Sequence, residues 1–271
     1  MSDRTNGLKL LVGISNPSTM PRLVDLAVRL NLSAGCELVF THVVEVPRQI
    51  GLAAARSSPD VVAGRRLLQE ALDRAGEAGV VGEAVVEVGR AAHEGLVAAA
   101  RSRGADLVMV GYSEPPKEAD EAGEKRFDRF THRVARDLAA DLIVGKFRGE
   151  GADRILVPVE PASDLTAVGL LVGAFMQDRP RTVRFLHVSA EGDRAVESDQ
   201  VRARLSDAGL AQFGELESVS GDAAEMVLTR AENCDMILLA STPSGSLRGA
   251  VTEAIADGAA CSTLLRTPGR R

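Results

Sequence analysis

The chain repeats itself, and the repeat limits the fold more than any other property of the sequence. Arg154-Ile155-Leu156-Val157-Pro158-Val159-Glu160 restates Lys9-Leu10-Leu11-Val12-Gly13-Ile14-Ser15, with Val12 and Val157 separated by 157 − 12 = 145 positions. In both places an apolar run closes on a polar residue and a helix-periodic stretch follows. His42 and His187 keep the separation of 145, while Asp106 and Asp235, each ahead of an apolar run, are 235 − 106 = 129 apart because the second copy has shorter loops. A duplicated unit of this length is a domain. The chain of 271 residues, 45% of them apolar, is therefore expected to bury two ordinary cores.

Each copy alternates strand-like and helix-like segments. In the first, strands are expected at 9–15, 37–44, 83–88, 105–111 and 142–144, and helices at 21–30, 60–78, 92–101 and 126–138, with a solvated loop at 114–125. In the second, strands are expected at 155–159, 182–188, 215–219, 235–240 and 262–265, and helices at 165–176, 196–208, 223–231 and 247–257. Continuous Val, Leu and Ile runs suit strands covered on both faces, and strand–helix alternation predicts parallel sheets with right-handed crossovers. The domains are expected at 1–148 and 154–271, joined by a linker at 149–153.

Composition removes several function classes. A net charge of −6 argues against nucleic acid or an anionic membrane surface as a partner. Aromatic residues make up 3% and Trp is absent, which leaves little for base or sugar stacking. Cys36, Cys234 and Cys261 form no CxxC pair, pointing to buried, reduced thiols. No apolar run reaches the ~18 residues of a membrane span, and residues 1–9 are too polar for a signal peptide, so a cytoplasmic protein is expected.

Catalytic constellations are not found. G-x-S-x-G, Walker A and H-E-x-x-H are absent. His42 and His187 are expected to be packed or bonded to backbone, and His93 and His132 to sit on exposed helix faces. Acidic residues such as Asp120-Glu121 are read as solvated charge rather than metal ligands.

The ordered set of segments resembles the universal stress protein family, twice over and across nearly the whole chain. The resemblance is carried by the 155–159 phrase, the His-Val pairs at 42–43 and 187–188, and Gly89 and Gly221 opening the third helix of each copy. Asp106-Leu107-Val108-Met109-Val110-Gly111 and, near the end, Gly249-Ala250-Val251-Thr252-Glu253 with Ala259-Ala260-Cys261 add to it. It implies two doubly wound, Rossmann-like α/β domains with five-stranded parallel sheets in the order 3-2-1-4-5. It also implies that the two pack as an intramolecular pseudo-dimer through their fifth strands, with further homodimers as an option. The switch point between strands one and four is where such sheets bind ligands, so Ser15, Asn16, Gly111 and Tyr112 in one copy, and Glu160, Pro161, Ser241 and Thr242 in the other, mark the candidate crevices.

Many members of that family bind ATP there with an Asp closing strand one and a G-x2-G-x9-G-[ST] loop after strand four, whose backbone amides and helix N-terminus cradle phosphate. The first copy departs from this. Ser15 replaces the Asp, Glu114 takes the second glycine position, and Glu124-Lys125 replace the final pair. Acidic residues between 114 and 124 would repel a triphosphate, and Tyr112 is a candidate to fill the vacated space. In the second copy Glu160, Ser241, Thr242, Gly245, Ser246 and Gly249 form the candidate cofactor-binding set, although Ala240 replaces the first glycine and Ala250 the last hydroxyl residue.

The sequence thus points to a non-catalytic protein of stress response or regulation acting through protein contacts, with itself or a membrane transporter as partner. The alternative is a sensor of ATP, AMP or another phosphorylated ligand, with ATP expected in the second domain only and no other cofactor.

Overall fold

The computed structural model describes residues 7–112, 126–149, 151–189, 194–240 and 249–269. The chain divides into two compact units, residues 1–144 with 268–271, and residues 145–267. The break falls after Val144, ahead of the 149–153 stretch.

In the first unit the elements run β1 (Lys9–Gly13), α1 (Met20–Ala34), β2 (Glu37–Glu45), α2 (Leu52–Ala55), α3 (Pro59–Glu77), β3 (Gly82–Gly89), α4 (Ala92–Arg103), β4 (Leu107–Tyr112), α5 (Arg126–Asp137) and β5 (Asp141–Lys146). The strand order is β3-β2-β1-β4-β5, and β1 pairs in parallel with both β2 and β4. Leu11, Val39, Val108 and Val110 pack against α4 and α5 through Leu96, Val97 and Val134, with Leu138 just past α5 in the same cluster. Because strand side chains alternate, the fully buried Leu10, Val12, Phe40 and Met109 serve the opposite face, which α1 and α3 cover. The sheet is therefore wound on both sides, as the apolar strand runs require.

The second unit repeats this with β6 (Arg154–Pro158), α6 (Leu165–Met176), β7 (Thr182–Ser189), α7 (Arg194–Asp207), β8 (Gly214–Ser220), α8 (Ala223–Ala231), β9 (Met236–Ala240), α9 (Gly249–Gly258) and β10 (Ser262–Thr267). Its order, β8-β7-β6-β9-β10, is the same 3-2-1-4-5 scheme. Leu156, Ile237, Leu239 and Leu265 pack against α8 and α9 through Val227, Ala231, Ile255 and Ala256.

Equivalent residues make equivalent bonds in the two copies. His42 Nδ1 lies 2.7 Å from the Ile14 carbonyl, and His187 Nδ1 lies 3.2 Å from that of Val159. The Asp106 carboxylate accepts from the Lys9 amide at 2.9 Å, and that of Asp235 from the Arg154 amide at 2.9 Å and the Asp153 amide at 3.1 Å. Both aspartates thus tie the start of the central strand to the start of its neighbour, a structural use that accounts for their recurrence.

Some segment boundaries differ from those read in the sequence. The short helix α2 falls between the strand expected at 37–44 and the helix expected at 60–78, where the sequence marks no element. Gly89 closes β3 rather than opening α4, whose N-cap position is Ala91. In the second copy Asp222 caps α8 by accepting from the Glu225 amide at 2.9 Å, and Gly221 precedes it at φ 147°, a conformation in which a side chain would be strained.

Candidate functional site

In the first unit the carboxyl end of β1 runs into a loop whose polar groups are largely spent on one another. Ser15 is exposed. Asn16 Oδ1 accepts from the Ser18 amide at 2.8 Å, and its carbonyl accepts from the amides of Thr19 and Met20 at 3.2 and 3.1 Å. The first turn of α1 is thereby closed from within, leaving fewer free amides for an anion. At the end of β4, a Cβ on Gly111 would lie 3.1 Å from Leu23 Cδ1 and 3.2 Å from Thr19 Oγ1. This glycine permits close packing of β4 on α1. Tyr112 packs against the α4 and α5 side of the core, so its ring belongs to that cluster.

The N-terminus of α4 is also occupied. Ala91 has no side chain to cap it, and the Glu45 carboxylate at the end of β2 accepts from the Ala92 amide instead. A helix N-terminus attracts negative charge, and here the protein supplies its own. Beside it, the Arg90 guanidinium donates to the carbonyls of Val46, Pro47 and Ile50, fixing the strand-to-α2 loop.

In the second unit Glu160 follows β6 and is buried at 4% exposure, with its amide donating to Ser163 Oγ at 2.9 Å. Arg204 of α7 donates to the carbonyls of Pro161 and Ser163, and Asp164 caps α6 through the Thr166 and Ala167 amides at 3.0 and 3.1 Å. Gly249 begins α9, and among the described residues a Cβ there would meet nothing within 4 Å. Of the six candidate residues the structure therefore describes Glu160 and Gly249. Ser241, Thr242, Gly245 and Ser246 lie outside the described residues, as do the acidic residues of 114–124. Arg204 was not singled out in the sequence, because a lone arginine on a polar helix carries no signal.

Two cavities lie elsewhere, at the amino ends of the strands rather than in the crevices. One of about 280 Å³ is lined by Lys9, Asn31, Cys36, Glu37 and Glu83, and one of about 270 Å³ by Arg148, Glu232, Cys234, Asp235 and Cys261. Burial, with Asp106 nearby, pushes the Cys36 thiol up to about 11; burial also raises Cys234 and Cys261. Thiols held protonated are poor nucleophiles and poor ligands. Among the described residues no group of three or more His, Cys, Asp or Glu side chains is placed to hold a metal, and no helix is long and apolar enough to cross a membrane.

The universal stress protein family model matches residues 8–146, slightly more than half of the chain and all five strands of the first unit. The chain belongs to the universal stress protein family. As a universal stress protein it carries the fold twice, and the second copy is shown by its topology. A universal stress protein from Archaeoglobus fulgidus DSM 4304 is 17% identical and covers 96% of both chains at a TM-score of 0.65. The cytoplasmic domain of a prokaryotic cation chloride cotransporter is 9% identical, with 97% of this chain and 96% of that one covered at a TM-score of 0.64. A protein of unknown function from Pseudomonas aeruginosa PAO1, 13% identical, covers 96% of this chain and 92% of its own at 0.65. These likenesses concern the fold. No curated protein matches the chain.

Proposed function

We propose that this universal stress protein is non-catalytic and acts in stress response or regulation through contacts with other proteins, without nucleotide in its first unit. The observation that carries this reading is the self-satisfied β1 loop. An exposed Ser15 stands where ATP-binding relatives are expected to place an Asp, Asn16 is committed to the α1 turn, and the nearby α4 terminus is closed by Glu45. The acidic 114–124 stretch of the sequence adds to it. The same scaffold serves as the cytoplasmic domain of a cotransporter, so a membrane transporter belongs among the partners to test, along with a second copy of this chain.

One observation favours a second reading for the second unit, a phosphorylated-ligand sensor. Glu160 places a buried carboxylate after β6, and at Gly249, where α9 opens, an added Cβ would meet no described residue within 4 Å. Protein purified without added nucleotide, denatured and resolved by anion-exchange chromatography, tests the two. The leading reading expects no bound nucleotide. Stoichiometric ATP or AMP would overturn it in favour of the sensor.

A further inference from the structure

The second unit contains a buried histidine whose two ring nitrogens face different elements. His187 is 1% exposed, and its Nδ1 lies 3.2 Å from the Val159 carbonyl at the end of β6. A carbonyl only accepts, so Nδ1 carries the proton in the neutral ring and Nε2 presents a lone pair. Nε2 has no hydrogen-bond partner among the described residues, yet it lies 3.4 Å from Glu197 Oε2 on α7. In the neutral state a buried acceptor thus faces a carboxylate, which is repulsive and leaves the nitrogen unsatisfied. One proton on Nε2 converts the pair into a charge-assisted bond.

The surroundings connect this pair to the candidate site. On β8 the residue in register with His187 is the neutral Ser218, whose Oγ is 2.7 Å from Ser198 Oγ of α7, while Glu217 is paired with Arg230 and Arg184. Among the described residues, the charged groups that α7 and the end of β6 bring to this region are Glu197, Arg204 and Glu160. Arg204 holds the 160–163 loop by its carbonyls, so whatever fixes α7 also fixes that loop. The first unit supplies an internal comparison. His42 makes the same Nδ1 contact at 2.7 Å but packs on Gly64 of α3, and no acidic partner faces it among the described residues.

We propose that His187 is a proton-operated latch: protonation at Nε2 closes its bond to Glu197 and fastens α7, and with it the Glu160–Ser163 loop, to the carboxyl end of β6. The latch does not depend on whether the second unit takes a ligand. Histidine changes charge within the physiological pH range, which suits a sensor of cytoplasmic acidification.

Hydrogen exchange of the full chain, read by mass spectrometry at about pH 8 and about pH 5.5 and corrected for intrinsic rates, tests it. Protection of α7 and of residues 160–164 should rise roughly three- to tenfold at the lower pH, with no such change in α3. Glu197→Gln should remove the rise, because an amide can donate to the Nε2 lone pair at either pH. Glu197 is 38% exposed, so the substitution leaves the core intact. Equal protection at both pH values in the unaltered chain, or an undiminished rise in the Gln variant, would overturn the proposal. Long-range ¹⁵N–¹H spectra give a reading without any variant: His187 should be the Nδ1–H tautomer at high pH and doubly protonated at low pH. A ring that stays neutral to about pH 5 would refute the latch.

Discussion

Gly64→Ala should destabilise the first unit although it improves a helix. In the interior of α3 the exchange by itself stabilises by about 1 kcal/mol. An added Cβ, however, would lie 2.5 Å from His42 Cδ2 and 3.2 Å from Cγ and Nε2. The ring has little freedom to retreat, since its Nδ1 is held at 2.7 Å by the Ile14 carbonyl. Moving it sacrifices a hydrogen bond worth about 1 kcal/mol and strains packing by about 1–3 kcal/mol. The balance is a net loss of about 1–3 kcal/mol. Gly76 in the same helix is the control, because a Cβ there meets nothing within 4 Å; Gly76→Ala should stabilise by about 0.5–1 kcal/mol. Urea unfolding followed by far-ultraviolet circular dichroism reads both. The two variants should shift the midpoint in opposite directions. A Gly64→Ala chain as stable as the unaltered one would refute the account of His42 as a fixed structural pin.

Other groups give separate tests. Hydrogen bonding from the Arg154 side chain and amide holds the Asp235 carboxyl below the usual range, so its contribution is present above its unfolded value of about 4 and is lost as pH falls through the lower folded value. Asp235→Asn should therefore lower stability at pH 7 by no more than about 1 kcal/mol, since the pair is screened by solvent and the amide oxygen still accepts, with the difference from the unaltered chain vanishing in acid unfolding titrations. At about pH 8 the Cys36 thiol, titrating near 11, is roughly one part in a thousand thiolate. Burial raises Cys234 and Cys261 as well and shields all three, so the cysteines should resist iodoacetamide in the folded chain and react fully in denaturant, as counted by mass spectrometry. Arg90→Ala removes donors to three carbonyls, and amide exchange over residues 46–51 should accelerate roughly tenfold while the global unfolding midpoint moves little.

The strands are legible because they are apolar runs covered on both faces, and the phrase at 9–15 restated at 154–160, with the recurring histidines and aspartates, marks the duplication in the sequence. Helices with strong local signals were found to the residue, as with Leu165–Met176 after Asp164 and Ala223–Ala231 after Asp222. The helix α2 was missed because four residues give too little periodicity to read. Glu45 capping α4 could not be seen in sequence, since the carboxylate and the amide it serves are 47 residues apart and meet only through the register of β2 with β3. The same holds for His187 and Glu197, which sit on separate elements, and for Arg204, which reaches back 43 residues to Pro161. Gly111, at the carboxyl end of β4, also permits the close approach of β4 to α1, a contact that the sequence does not signal.

Calorimetric titration of the full chain with Mg²⁺–ATP tests the central claim most directly. The account predicts no saturable heat from the first unit. It therefore predicts either a flat titration or, under the second reading, a single event abolished by Gly249→Leu. A stoichiometric binding event that persists unchanged in the Gly249→Leu chain would place nucleotide in the first unit and contradict the account.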